Sequence, residues 1–284
     1  MNQRETHIVP KLENPIRLSD YGGGAFQLIP SRKGMKKAID KGWVSVDGKL
    51  AKTGTIISGG ETLSLEIQEQ DHPQISMEIE VLYEDDFLAV INKPAGIEVS
   101  GNRKRTIENA LKSNLEPSKE DDALSFPQAV HRLDFPTTGV LIIGKARKAV
   151  SRLNDMFSNG EIDKQYLAVT IGPMPKSRSI DSLIDGKESR TDFEVVQSVN
   201  SERFEQLNLV NVKLFTGRRH QIRKHFSQLG NPILGDKEYG QQELILKGKG
   251  LYLHAKSISF KHPFTDEQLI VNAPIPKKFG KLFP

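Results

Sequence analysis

The chain has 284 residues, a formal net charge of +4 and no cysteine. That length makes one large domain or two smaller ones, and 37% hydrophobic against 27% charged residues is the balance of a globular protein rather than a disordered or membrane-embedded one. The absence of cysteine excludes a disulfide scaffold, a Cys-ligated zinc site, an iron–sulfur cluster and a thiol nucleophile. The first residues, MNQRETHIVPKLENP, lack an apolar signal core. No run reaches the roughly 18 apolar residues of a membrane span, so a cytoplasmic protein is expected.

Residues 1–28 read as irregular, broken by Pro10, Pro15 and the run Gly22-Gly23-Gly24. No strand precedes those glycines and no GK[ST] follows, so they make a poor phosphate loop. Ser31 to Lys41 reads as a short helix, with Ser31 as N-cap, Met35, Ala38 and Ile39 on one face and Gly42 as the stop. Trp43 to Val46, the turn Asp47-Gly48 and Lys49-Leu50 read as a hairpin, and Thr62 to Ile67 alternates as a strand. The helix and hairpin carry Arg32, Lys33, Lys36, Lys37, Lys41, Lys49 and Lys52 against Asp40 and Asp47. A basic face of this kind marks residues 1–70 as a small RNA-binding module; Trp43 reads as part of its core.

Gln68 to Gln74 reads as the linker to a second domain over 71–284. Met77 to Tyr83 and Phe87 to Ile91 make a hairpin about Glu84-Asp85-Asp86, ended by the tight loop Asn92 to Gly96. Residues 100–128 read as a surface excursion with one helix near Thr106 to Lys112. Val140 to Ile143 is a buried strand, and Ala146 to Ser158 an amphipathic helix closed by Asn159-Gly160. Tyr166 to Ile171, Phe193 to Val196 and Leu207 to Phe215 read as strands. Arg219 to Leu229 follows as a helix, burying Ile222, Phe226 and Leu229. Strands at Leu251 to His254, Ser257 to Phe260 and Gln268 to Asn272 finish the chain. Many strands with few interleaved helices make an α+β sheet protein. With no exposed apolar stripe or heptad seam, a monomer is expected.

Two stretches carry chemistry. The first, His131-Arg132-Leu133-Asp134-Phe135-Pro136-Thr137-Thr138-Gly139, is turn-rich and precedes a buried strand. It puts Asp134 on a loop at the mouth of a sheet, where reactive groups commonly sit; from the residues alone a turn-forming aspartate is the competing reading. The second is Gly217 to His225, within a stretch from Lys213 to His225 that has five basic residues, two histidines and no acid. Arg219 and Arg223 are spaced i, i+4 as on one helical face near a helix N-terminus, where anions are favoured. A carboxylate paired with arginine stays ionised and positioned, which suits a nucleophile and not a proton donor. His220 and His225, five apart, do not align as two metal ligands on one face. Asp236 reads as a turn residue.

HRLDFPTTGVLIIGKA at 131–146 closely resembles the signature of the RluA-type RNA pseudouridine synthases. INKPAGIEV at 91–99, KQYLAVTIG at 164–172, GRRHQIRKHFSQLGNPILGDKEYG at 217–240 and LHAKSISFKHPF at 253–264 follow in the family's order. The resemblance implies a pseudouridine synthase fold: a mixed, mostly antiparallel sheet with flanking helices and a central RNA-binding cleft. It implies isomerisation of uridine in RNA with no metal and no cofactor. Asp134 is then the nucleophile, attacking C6 of the base or C1′ of the ribose. Tyr166 stacks on the base and assists removal of the C5 proton, Arg223 pairs with Asp134, and Ile222 packs under the tyrosine. Arg132 fills the space left by the flipped uridine, while His131, Arg219 and Lys93 belong to the substrate-binding surface. The basic module resembles the small ribosomal-protein-type RNA-binding domain often fused to these enzymes, with the glycine-rich segment standing where a longer helix is usual. Thr138, Gly144, Arg219 and Gln165 depart from the family's commoner serine, alanine, threonine and threonine.

Two other classes compete. A non-catalytic RNA-binding protein would not keep Asp134, Tyr166 and Arg223 together. A metal-dependent nuclease using Asp134 and His131 needs clustered carboxylates, and none flank the motif. The RNA implied is a structured one, ribosomal RNA ahead of tRNA.

Overall fold

In the computed structural model, which describes residues 3–29, 31–67, 73–246 and 248–283, the chain divides into two compact units, Met1–Pro73 and Gln74–Pro284. Residues 68–72 of the expected linker lie outside the described residues.

The first unit contains β1 (Gln3–Ile8), β2 (Ile16–Arg17), α1 (Leu18–Tyr21), α2 (Arg32–Asp40), β3 (Val44–Val46), β4 (Lys49–Leu50), β5 (Ile56–Ile57) and β6 (Thr62–Ile67). Ser31 caps α2 by accepting from the Gly34 N–H at 3.1 Å, and Met35, Ala38 and Ile39 are its buried face. Leu63 and Leu65 of β6 meet them in one core with Leu18, Phe26 and Val44. Asp47 and Gly48 both take positive φ, as the tight hairpin turn between β3 and β4 requires. Arg32, Lys33, Lys36, Lys37 and Lys41 are all exposed; Arg32 pairs with Asp20 at 2.6 Å, and Lys41 stacks on the half-buried Trp43 at 4.1 Å.

One expectation fails here: the first 28 residues are not irregular, since β1 pairs antiparallel with β6 along its whole length, making the sheet β1-β6-β3-β4. The inward positions of β1 are Glu5 and His7, satisfied by hydrogen bonds to the Leu28 N–H (3.0 Å) and the Tyr21 hydroxyl (2.6 Å). No apolar alternation therefore marks the strand.

The second unit contains β7 (Glu80–Glu84), β8 (Leu88–Lys93), α3 (Glu108–Leu111), β9 (Ala123–Ala129), β10 (Thr138–Ala146), α4 (Arg147–Asn159), β11 (Asp163–Ile171), β12 (Ser177–Ile184), β13 (Lys187–Ser201), β14 (Glu205–Leu214), α5 (Gln221–Gln228), β15 (Leu253–Lys261), β16 (Gln268–Asn272) and α6 (Lys277–Gly280). The sheet runs β12-β13-β14-β11-β15-β10-β8-β7, with β16 on β15 and β9 on β10. Every pairing in it is antiparallel except the short one between β10 and β15. This is the expected α+β sheet with few helices.

Several elements differ from the sequence reading. Residues 77–79 stay outside β7, and β9 and β12 were not foreseen. The strand expected over 193–196 is the middle of the 15-residue β13. The two strands expected at 251–254 and 257–260 are the single strand β15, whose pairing with β11 shifts by a bulge between Gln165 and Tyr166. In β12 and the first half of β13 polar residues fill both faces, so no period announces a strand.

Two glycines set the geometry near the chemistry. At Gly139, φ is 111°, and a β-carbon would lie 2.1 Å from the Ala255 carbonyl oxygen. Only glycine lets β10 and β15 meet there in parallel. At Gly144, where the family commonly has alanine, a β-carbon would lie 2.4 Å from Cγ2 of Val150. Helix α4 is seated that closely on β10. Gly160 ends α4 in the left-handed region, as its C-terminal glycine implied.

Candidate active site

Asp134 sits in the turn between β9 and β10. The Thr137 N–H donates to the Asp134 carbonyl at 3.0 Å, closing the turn, and the Gly96 N–H holds the Phe135 carbonyl at 2.8 Å. Lys93 completes the brace. Its ammonium, fully buried, donates to the carbonyls of Pro94 (2.9 Å), Thr137 (2.9 Å) and Phe135 (3.4 Å). Burial pulls the Lys93 pKa down to about 8, opposed by the charge of Asp134. Lys93, expected on the substrate-binding surface, is buried here and ties the ends of two loops together beneath Asp134.

His131 is tied to the backbone in the same way. Its Nε2 accepts from the Ile142 N–H of β10 at 2.9 Å, and its ring packs on Phe157 at 4.7 Å. Burial, aided by the charge of Lys164, pulls its pKa to about 3. The neutral imidazole, bonded to the backbone, ties the loop before β10 to that strand.

Two cavities meet at Asp134. One is an open cleft of about 810 Å³, lined on one wall by Ala95 to Ser100 and on the other by residues of the 235–251 segment. The other, about 120 Å³, is lined by Tyr166, Leu214, Ile222 and Leu253. Arg132, Leu133, Asp134, Arg219, His220 and Arg223 line both. Phe135 stands 49% exposed at the cleft mouth beside Asp134.

The floor of the smaller cavity is built from β11 and α5. Tyr166, on β11 opposite Val212 and Ala255, is buried. Burial first, and then the charge of Asp134, push its pKa well above the ordinary phenol value. Ile222, also buried, lines the same cavity from α5. Gln221 locks the turn that leads into that helix: its amide donates to the Arg190 carbonyl and the Thr191 hydroxyl, both at 2.9 Å, and its carbonyl accepts from the Arg218 N–H at 3.0 Å.

The sequence reading placed Arg219 and Arg223 on one helical face. The structure separates them: α5 begins at Gln221, and His220 before it turns the chain through φ 57°. Arg219 is exposed at the cleft mouth, whereas Arg223 is buried in the first turn. Arg223 Nη1 donates to Oδ2 of Asp134 at 3.3 Å. Its Nε and Nη2 donate to Asp236 at 2.7 and 2.8 Å, and Nη2 reaches Glu238 at 3.2 Å.

Asp236 is therefore more than the turn residue expected. One oxygen accepts the N–H groups of Glu238 and Tyr239 at 3.0 and 3.1 Å and both accept from Arg223. Burial would raise its pKa, but Arg223 and those backbone donors hold it below the usual carboxylate value.

His220 was also missed as a site residue. Its Nε2 lies 3.6 Å from Oδ1 of Asp134 and its Nδ1 2.9 Å from the Tyr239 hydroxyl. His225, by contrast, is held in the interior by Ser189 and Thr191, both at 2.9 Å. Among the described residues no three His, Asp or Glu side chains stand together as metal ligands.

The arrangement is a carboxylate bonded to arginine at the junction of a small pocket walled by Tyr166, Ile222 and Leu253 and a wide open cleft. A family model described as RNA pseudouridylate synthase matches residues 87–228, which include Asp134, Tyr166 and Arg223. The ribosomal large subunit pseudouridine synthase D of Xanthomonas campestris pv. campestris is 32% identical over 90% of this chain and 85% of its own length. That of Vibrio cholerae is 31% identical over 87% and 84%. An uncharacterized RNA pseudouridine synthase of Bacillus subtilis is 31% identical over 89% and 88%. Among solved structures, human RNA pseudouridylate synthase domain containing 4 matches with a TM-score of 0.57 and 25% identity, over 71% of this chain and 90% of its own. The chain belongs to the RNA pseudouridylate synthase family and is an isomerase that converts uridine to pseudouridine in RNA.

Proposed function

We propose that Asp134 is the nucleophile, acting on a uridine flipped out of a structured RNA into the pocket formed by Tyr166 and Ile222. The observation that carries this reading is the Asp134–Arg223 contact at 3.3 Å where the two cavities join. The carboxylate attacks C6 of the base or C1′ of the ribose. The N1–C1′ bond breaks, the base turns over, a C5–C1′ bond forms and the C5 proton leaves. Burial keeps Tyr166 a phenol, so its part is to stack on the base; the C5 proton passes to the carboxylate freed as Asp134 departs and is returned through water to N1, which becomes N1–H, leaving Asp134 a carboxylate again. Flipping costs a few kcal/mol, offset by stacking on Tyr166 and by Arg132 entering the space the base leaves. No metal or cofactor takes part in these steps.

The RNA is ribosomal ahead of tRNA, two of the relatives named above being ribosomal large subunit pseudouridine synthases, and a cytoplasmic monomer is the form we expect to act. The test is to incubate the protein with unmodified ribosomal RNA and tRNA transcripts in EDTA and map pseudouridine by carbodiimide adduct and primer extension. A new stop on ribosomal RNA is expected. Stops on tRNA alone would reassign the substrate, and no stop on any transcript with tight RNA binding would remove this reading.

The exposed basic face of α2 is proposed as a second RNA-binding surface. Reversing Lys33, Lys36 and Lys37 to glutamate is expected to weaken RNA binding. It should also flatten the dependence of log K on log salt by about 2–3, at roughly 0.7–0.9 for each phosphate the protein no longer neutralises. An unchanged slope, measured by filter binding, would show that this face does not meet RNA.

A further inference from the structure

Phe135 follows Asp134 directly in the turn between β9 and β10, and its side chain stands 49% exposed on the wall of the open cleft of about 810 Å³. A lone apolar side chain on a surface is ordinary. This one is carried by a fixed backbone. Its carbonyl accepts from the Gly96 N–H at 2.8 Å and from the buried Lys93 ammonium at 3.4 Å, and the Thr137 N–H closes the turn on the Asp134 carbonyl at 3.0 Å. None of those bonds uses the ring. Among the described residues no other ring or cation is stacked on it, whereas the exposed Phe215 already carries the Arg190 guanidinium at 4.6 Å.

The cleft around the ring has the charge that an RNA strand needs. Arg132, Arg219 and Lys237 line it and are exposed. The acids on its lining each face an arginine: Asp134, Asp236 and Glu238 pair with Arg223, and Glu98 lies 3.7 Å from Arg103. The cleft meets the smaller cavity of about 120 Å³ at Asp134. Arg132 lines both spaces and Phe135 only the larger. A strand that puts one base into the smaller cavity therefore carries its next nucleotide past the ring.

We propose that Phe135 is a substrate-binding residue whose ring stacks on the base of the nucleotide next to the flipped uridine. The inference rests on the reading of the smaller cavity as the uridine pocket. Flipping a uridine out of a stack uncovers a face of each neighbour. Every base has a π-face, so an aromatic side chain covers it without reading sequence through hydrogen bonds. The stack offsets part of the cost of flipping. Because the turn fixes Phe135 and Asp134 together, it also sets which nucleotide of the strand stands at the carboxylate.

The experiment compares wild type, Phe135→Leu and Phe135→Tyr on the transcript that the wild-type enzyme modifies, and on two versions of it with an abasic nucleotide on the 5′ or the 3′ side of the mapped uridine. Leucine keeps an apolar side chain without the ring, and tyrosine keeps the ring. Phe135→Leu is expected to raise KM by roughly 5- to 150-fold, the scale of one base–aromatic stack, with kcat little changed. Phe135→Tyr should stay within about threefold of wild type. On one of the abasic transcripts wild type and Phe135→Leu should become equal, because the partner of the ring is already gone. Filter binding makes the same comparison where turnover is too slow to follow. Phe135→Trp adds a direct reading: the chain's own tryptophan is Trp43 alone, and RNA should quench the variant's emission beyond the change seen in wild type. A Phe135→Leu enzyme equal to wild type on the full transcript, a loss confined to kcat, a loss undiminished on both abasic transcripts, or no added quenching would each overturn the proposal. If Asp134→Asn turns over, the reading of the site has failed; if it is dead and Phe135→Leu equals wild type, only the stack has.

Discussion

Asp134→Asn is expected to lower pseudouridine formation by a factor on the order of 10⁴ to 10⁶, the scale seen when a nucleophile is removed from a preorganised site, while the protein stays folded and binds RNA. The asparagine is nearly isosteric, and its carbonyl oxygen still accepts from Arg223 Nη1, now 3.3 Å from Oδ2. Arg223 keeps its two bonds to Asp236, so no buried charge is left alone and the melting temperature should hardly move. What is lost is the negative oxygen that forms the bond to the uridine. The measurement is single-turnover conversion of the mapped uridine, beside filter binding of the same transcript. A variant within tenfold of wild type, or one that no longer binds RNA, would remove Asp134 from the role of nucleophile.

The loop that bears Asp134 was readable because its surroundings obey local rules. Four consecutive apolar residues, Val140 to Ile143, announce a buried strand, and Pro136 and Gly139 before them announce a turn, which puts the aspartate on a loop at the mouth of a sheet. Helices α2 and α4 were readable for the same reason: Ser31 opens one and Gly160 closes the other. What was not readable depends on partners far away in sequence. Strand β1 turns Glu5 and His7 inward and is defined only by its pairing with β6. Lys93 and His131 lie in motifs rich in polar residues, where a solvent-facing role was natural; both are spent on backbone groups of other segments. Asp236 stands 13 residues from Arg223 across a turn, and no periodicity connects them. The left-handed turn at His220, which takes Arg219 off the helix, is a conformation in which glycine is the usual signal, and histidine gives none.

The Arg223–Asp236 pair carries the second large effect, on stability as well as on rate. Their side chains are 5% and 1% exposed. Removing one partner of a buried ion pair typically costs about 3–5 kcal/mol, because the other charge is left without compensation. Arg223→Met is therefore expected to lose about that much stability and, with Asp134 unheld, a factor of about 10² or more in rate. Adding Asp236→Asn separates the two effects. Asparagine keeps a carbonyl oxygen to accept the Glu238 and Tyr239 N–H groups that Oδ1 accepts now, but it carries no charge. The double variant should recover much of the stability and none of the activity. In wild type Asp236 sits below the usual carboxylate value despite its burial. Its contribution is complete above about pH 3.9, the unfolded-chain value, and is lost as pH falls through the lower folded value. In Arg223→Met the uncompensated carboxyl protonates at higher pH, so the stability gap to wild type should narrow as the solution is acidified. Urea unfolding midpoints across that range measure the gap. A single variant as stable as wild type would show that burial of Asp236 does not depend on the guanidinium, and a double variant that regains turnover would show that Asp134 does not depend on it either.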